Sequence, residues 1–442
     1  MDASYAKPFA RPLYVMLKPV GARCNLACEY CYYLGRGLQG DISDTSGSQD
    51  GGLCESEPFG LTVRAVRTGS PNRSDCDGPR MGQWLMTDWL LEEFTRQYLE
   101  AQTMDQVLFT WHGGEPLLRP ISFYEKALAL QRRYAGRRQV DNCLQTNGTL
   151  LNDEWCRFLR DNGFLVGISI DGPQWMHDHY RRSATGQPSW ERVMRGIELL
   201  QRHGVEWNAM ATVNDLTARH PQEFYRFFRE LGCLFLQFTP VVERVAFRAG
   251  TESAPTLRAV TAPFSVTPDD WGCFLCEVYD EWVCRDVGQL FVQTFDATLA
   301  NWVGEPPGVC SLSAQCGHAA VMEADGTVYS CDHFVSAEHR LGNINEQSLT
   351  ALLYGERQRL FGRQKTDGLT RQCRECPWLF ACHGECPRNR FAQDRYGNPH
   401  HNYLCEGYRR FFAHVARDMD FMAEELRQGR APANVMTIYN KQ

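Results

Sequence analysis

Apolar positions in the first half of the chain follow two periods. Short apolar and β-branched runs predict strands at Tyr14 to Leu17, Val107 to Trp111, Asn142 to Gln145, Leu165 to Ile170, Trp207 to Thr212 and Phe235 to Phe238. Between them, amphipathic stretches predict helices over Asp88 to Glu100, Ile121 to Tyr134, Asp153 to Asn162, Trp190 to His203 and Pro221 to Leu231. Strand and helix in regular succession predict βα units around a parallel sheet. Six such units form an incomplete barrel, where function gathers at the C-terminal ends of the strands.

The pattern breaks between Leu34 and Arg80. There Gly, Ser, Asp and Asn dominate without period, which reads as a long flexible insertion. It holds Cys54 and Cys76, taken as incidental thiols because they stand isolated in such sequence. The last third is cysteine-rich. The expected organisation is therefore a partial barrel over 1–245 with the insertion at about 35–80, a helical connection over 246–309, a cysteine domain over 310–407 and a C-terminal helix and tail over 408–442. Tyr408 to Leu426 carries aromatic and Met residues at three and four spacing, as a docking helix does. Cys273 and Cys276 form a CxxC, but FLCEVYDEW has helical spacing, so they read as buried helix thiols; Cys143, Cys156, Cys233 and Cys284 look similar.

Composition narrows the class. Nineteen cysteines in 442 residues are far from a small secreted disulfide scaffold. The N-terminus lacks a basic segment followed by an apolar one, and no apolar run is long enough to span a bilayer, so cytoplasmic residence without membrane contact is the default expectation. A net charge of -7 argues against nucleic acid as the main partner.

The chemistry concentrates in Cys24-Asn25-Leu26-Ala27-Cys28-Glu29-Tyr30-Cys31, directly after the first strand. Three thiolates in one loop hold three corners of an iron–sulfur cube and leave one iron open for an exogenous ligand. The plainer alternative, a zinc knuckle or unpaired thiols, usually brings paired CxxC units and a fourth ligand. CxxxCxxC with an aromatic before the last cysteine resembles the radical S-adenosylmethionine (SAM) superfamily, which implies a partial (β/α)6 barrel and SAM bound at the open iron. Trp111-His112-Gly113-Gly114-Glu115-Pro116 follows the second strand, where two glycines allow close backbone approach. The resemblance implies that Gly113, Gly114 and Glu115 meet the SAM amino group and that Tyr30 belongs to the cofactor site. Gln145-Thr146-Asn147-Gly148 and Ser169-Ile170-Asp171-Gly172-Pro173 end the third and fourth strands. By the same resemblance Ser169 and Arg181 contact the SAM ribose and carboxylate, although a serine at a strand end is otherwise usually a cap. His112 stands where some relatives carry Gln and is a substrate-side candidate.

The C-terminal third carries Cys310, Cys316, Cys331, Cys373, Cys376, Cys382, Cys386 and Cys405, enough thiolates for two closed four-cysteine sites. The order resembles the SPASM domain, and specifically the anaerobic sulfatase-maturating enzymes. That resemblance implies three [4Fe-4S] clusters. One is on Cys24, Cys28 and Cys31, one on Cys310, Cys316, Cys331 and Cys386, and one on Cys373, Cys376, Cys382 and Cys405. Spacing alone equally permits Cys373 to Cys386 as one unit, and zinc in both sites stays open.

The implied activity is oxidation of an active-site Cys or Ser of a sulfatase to Cα-formylglycine, begun by a 5′-deoxyadenosyl radical that takes a Cβ hydrogen. A second electron and a proton must then leave. The auxiliary clusters suit the electron. Asp332, next to Cys331, matches the family's general base, and Tyr33 matches a position near the substrate. The implied partners are an unfolded or nascent sulfatase carrying CxPxR or SxPxR and a donor such as flavodoxin or ferredoxin. One alternative is a SPASM enzyme that modifies another ribosomal peptide. Against it, only about a dozen residues precede the first strand, a connection-sized stretch where such relatives often carry a peptide-binding domain. The other is a metal scaffold or electron carrier without turnover, which leaves the three-cysteine loop unexplained.

Overall fold

The computed structural model describes residues 13–33, 64–65, 85–249 and 256–439. Cys54, Cys76 and most of the stretch read as an insertion lie outside them. Within it, Arg64–Ala65 pairs parallel to Arg244–Ala249.

Six parallel strands form the frame: β1 (Val15–Leu17), β2 (Gln106–Trp111), β3 (Gln139–Thr146), β4 (Phe164–Ser169), β5 (Trp207–Val213) and β6 (Phe235–Pro240). They lie side by side in chain order. Helices α1 (Asp88–Ala101), α2 (Ile121–Tyr134), α3 (Asp153–Asp161), α4 (Gln174–Tyr180), α5 (Trp190–His203) and α6 (Pro221–Glu230) connect them. This is the expected partial (β/α)6 barrel, each strand and long helix within a few residues of its predicted place. Local chemistry sets the helix ends. Thr87 caps α1 by accepting from Leu90 N at 3.2 Å, and Asn152 caps α3 by accepting from Trp155 N at 2.8 Å.

Both sheet edges extend beyond the prediction. Phe291–Val292 adds a parallel strand beside β6. On the other edge β7 (Ala320–Met322) runs parallel to β1, with Val15 opposite Ala320 and Leu17 opposite Met322, and leads into antiparallel Thr327–Tyr329 and Arg340–Asn343. The cysteine-rich part is therefore hydrogen-bonded into the barrel sheet. The connection expected as helical opens with an antiparallel hairpin, Arg244–Ala249 against Thr256–Thr261, before helices Pro268–Arg285 and Gln293–Val303.

The core lies between sheet and helices. Phe94 stacks on Tyr98 at 5.1 Å, and both meet the edge of Phe109. Trp111 is fully buried and donates Nε1 to Asn142 Oδ1 at 2.9 Å, closing a polar circuit with Gln131. The C-terminal helix Cys405–Arg427 packs along Pro268–Arg285, where a Cβ on Gly407 would come within 2.3 Å of Pro268 O. That crossing holds Cys276 buried, and Cys273 Sγ accepts from Arg410 at 2.8 Å. No helix among the described residues is long and apolar enough to cross a membrane.

Candidate active site

The three-cysteine loop leaves the C-terminal end of β1, and the glycine motif after β2 holds its backbone. Gly114 N donates to Gly21 O and Glu115 N to Arg23 O, each at 2.8 Å. The contact is so close that a Cβ on Gly114 would stand 1.9 Å from Arg23 O. Glu115 is fully buried and accepts from Leu117 N, Thr146 Oγ1 and Asn147 N at 2.7–2.9 Å. Burial lifts its carboxyl to about 7 against the pull of those donors. Asn147 in turn donates to Asn25 Oδ1 at 2.8 Å and to Cys24 Sγ at 3.6 Å. The far side of the loop is pinned by Ala27 N on Arg182 O and Glu29 N on Tyr180 O.

At the end of β4 the structure joins two of the expected cofactor-site residues, Tyr30 and Arg181, through a buried acid that sequence reading had not assigned. Asp171 accepts from Arg181 Nε at 2.9 Å, from Thr212 N at 2.9 Å and from the Tyr30 hydroxyl. Burial works to raise its carboxyl, but Arg181, His177 and Tyr30 outweigh burial and hold it below the ordinary carboxylate range. Arg181 lies over the Tyr30 ring, and its charge acts on Cys28. Ser169 accepts from Gln145 Nε2 at 3.0 Å.

Asp332 sits in a second polar pocket. Its carboxylate accepts from the hydroxyls of both Tyr32 and Tyr33 and pairs with the fully buried Lys18 at the end of β1. The Lys18 ammonium also stands 3.7 Å from Glu323 and 3.8 Å from the centre of the Tyr33 ring. Tyr32 meets His333 edge-on and lies under Arg388, which pairs with Glu243. His112 borders this pocket and feels the charges of Asp332 and Lys18. Burial keeps its imidazole down at about 4, and Nδ1 accepts from Gly113 N at 2.8 Å, which assigns the ring proton to Nε2. Lys18, Tyr32 and Arg388 had gone unassigned in the sequence; the available signal was a lysine closing an apolar strand and a second tyrosine beside Tyr33.

The cysteines of the loop and of the C-terminal third feel one another's charges. Cys28 is pushed up to about 12, by burial first and, after the opposing pull of Arg181, by Cys31, Asp171 and Cys24. Cys386 is driven far above the thiol range by burial, Glu385 and the charges of Cys316, Cys310 and Cys331. Cys405 is raised by burial and then by Cys382, Cys373, Glu406 and Cys376. Among the described residues no three Cys, His, Asp or Glu side chains converge tightly enough for a single metal ion. Buried thiols that lie within reach of one another's charges suit a multinuclear cationic centre, with N–H donors of Leu26 and Asn147 already on Cys24 Sγ.

Comparison with known proteins places this geometry. The radical SAM superfamily matches residues 19–228, and the SPASM iron-sulfur cluster-binding domain matches residues 313–377. A curated serine-type anaerobic sulfatase-maturating enzyme of Bacteroides thetaiotaomicron is 52% identical over 440 residues, 99% of this chain and 97% of that protein. The chain belongs to the anaerobic sulfatase-maturating enzymes. A cysteine-type member of this maturase family, from Clostridium perfringens, is 29% identical over 91% of the chain and 96% of its own length. The solved structure of the maturase anSMEcpe with bound AdoMet and Cp18Cys peptide superposes with a TM-score of 0.75 at 27% identity, over 94% of this chain and all of that one. Streptococcus suis SuiB bound to its precursor peptide SuiA reaches a TM-score of 0.52 at 14% identity, over 89% of this chain and 75% of that one, a likeness of fold alone.

Proposed function

We propose that this maturase oxidises a serine in a sulfatase polypeptide to Cα-formylglycine, and that Asp332 takes the departing proton. The observation that carries the role of Asp332 is its pocket: a carboxylate held by two tyrosines and a buried lysine, beside the strand end that launches the three-cysteine loop. Serine is favoured because relatives at 52%, 37% and 36% identity are serine-type maturases, whereas the cysteine-type ones stand at 29–30%.

In this reading Cys24, Cys28 and Cys31 hold the cluster that binds SAM, and Cys310, Cys316, Cys331 and Cys386 with Cys373, Cys376, Cys382 and Cys405 hold two more. SAM held there would supply the radical chemistry that removes a hydrogen atom from the serine Cβ. Gly113 and Gly114 would offer backbone carbonyls to the cofactor's amino group and Ser169 its hydroxyl, Arg181 would offer cationic charge to its carboxylate, and Glu115, fully buried with three donors from the fold, braces the turn that presents them. Tyr30, fixed by Asp171, walls the site. Removing a Cβ hydrogen atom leaves one electron and the hydroxyl proton to depart before a carbonyl forms. Asp332 receives the proton, and the nearby Cys331 set suits the electron. Tyr33 and the Nε2–H of His112 orient the substrate, and Lys18 with Tyr32 holds the Asp332 carboxylate in place. The extended substrate is a sulfatase segment of SxPxR or CxPxR type, the reductant a flavodoxin or ferredoxin, and the site of action the cytoplasm.

The test is anaerobic incubation of reconstituted enzyme with SAM, a reductant and peptides carrying SxPxR or CxPxR, read by mass spectrometry. Aldehyde on the serine peptide with matching 5′-deoxyadenosine supports the reading. Deoxyadenosine without oxidation of either peptide, at full iron loading, overturns the substrate.

A further inference from the structure

Between the two C-terminal cysteine sets lies a pair of buried cations that the reaction as described does not use. Lys365 is fully buried, and its ammonium donates to Cys310 O at 2.8 Å and Ser311 O at 2.7 Å. Arg390, 3% exposed, spans the loop from Cys382 to Cys386, donating to His383 O, Gly384 O and Glu385 O at 3.0–3.3 Å. The two are joined, because Arg390 also donates to Lys365 O at 2.6 Å. A Cβ at Gly384 would lie 2.5 Å from the guanidinium, so the loop wraps it closely.

That loop is the shortest covalent path between the sets. Cys382 and Cys386 are four residues apart, which limits their Cα atoms to about 14 Å even if fully extended. Both cations reach both sets: the charge of Lys365 acts on Cys310, Cys316 and Cys382, and Arg390 interacts with Cys373, Cys316 and Cys386. One buried acid, Glu385, faces the same pair and donors from Asn389 and Asn402. Two cations against one acid leave the bridge with a positive bias.

We propose that Lys365 and Arg390 are positioning residues for electron acceptance: a buried cationic bridge that raises the reduction potential of the clusters held by the two sets, most at the Cys310 set. Reduction adds negative charge to a cluster, and a cation fixed in a dry interior, unscreened by salt, favours the reduced form. The inference rests on the assignment of these eight cysteines to two iron–sulfur clusters.

Iron and sulfide analysis of the reconstituted full chain, with potentiometric titration followed by electron paramagnetic resonance, tests both. Wild-type protein whose iron and sulfide content accounts for the three-cysteine cluster alone overturns the cluster assignment whatever the variants do. With the auxiliary clusters present, K365M and R390Q are each expected to lower the reduced-to-oxidised ratio of an auxiliary cluster about tenfold at fixed potential, a 59 mV fall for one electron. The three-cysteine cluster keeps its potential, and K365R keeps the wild-type value. Variants that load full iron and titrate as wild type overturn the inference. Loss of auxiliary iron in both K365M and R390Q overturns it as well, since the pair would then be a scaffold for the loops.

Discussion

Replacing Gly114 by Ala tests whether the glycine motif builds the cofactor loop. The new methyl would stand 1.9 Å from Arg23 O and 2.4 Å from its carbonyl carbon, and real Cβ contacts essentially never fall below 3.0 Å. Backbone must therefore yield by at least about 1 Å, an overpacking strain typically of ~1–3 kcal/mol. The same retreat opens the bonds from Gly114 N to Gly21 O and from Glu115 N to Arg23 O, now 2.8 Å each. At ~0.5–1.5 kcal/mol net apiece, the loss comes to about 4 kcal/mol. Because the strain falls beside Cys24 and not on the barrel core, it should appear as roughly a thousandfold weaker hold on the three-cysteine cluster rather than as global unfolding. Iron analysis and SAM binding on anaerobically reconstituted G114A are expected to show this cluster missing while the C-terminal sites load. Full iron with SAM affinity within about twofold of wild type would refute the reasoning.

Three further outcomes are expected. D332N should still make 5′-deoxyadenosine yet lose about 10²–10⁴ in peptide aldehyde, as removal of a general base does, and equal losses of both products would place Asp332 upstream of proton removal. K18M should lower stability in thermal unfolding by at most about 3–5 kcal/mol, since it removes the buried cation and leaves the Asp332 carboxylate to its two tyrosine donors. His177 is buried and held down to about 4, by burial first. Between pH 6.5 and 4 the unfolded chain thus binds the proton that the fold refuses, so stability falls as pH drops through that window. H177Q should flatten this acid loss by about 2 kcal/mol between pH 7 and pH 5, measured from denaturant unfolding at the two pH values.

The barrel was legible because its strands and long helices each repeat an apolar period long enough to read. Gln174–Tyr180 and Phe291–Val292 were not, being too short to show any period. The cysteine loop and the GGEP turn announce themselves by spacing. Lys18, Tyr32 and Asp171 do not, because their roles depend on partners distant in the chain: Lys18 meets Asp332 across 314 residues, and Tyr30 meets Asp171 across 141. No local pattern encodes such a meeting; the closing of the sheet creates it. The hairpin at Arg244–Ala249 was missed for a related reason, since six residues are a short run and the partner that completes the pairing, Thr256–Thr261, lies further along the chain.

The strand Ala320–Met322, hydrogen-bonded along β1, bears on how such enzymes can be taken apart and recombined. One edge carries Lys18 from the first segment and delivers Asp332 from the last, so neither half owns a complete pocket. Cutting the chain near residue 309 would expose a bare parallel edge and remove the carboxylate together. A chimera that grafts a foreign cysteine-rich tail onto this barrel therefore has to reproduce the pairing of Val15 with Ala320 and Leu17 with Met322. A slip of one residue would turn Asp332 away from its lysine while leaving every cysteine spacing intact.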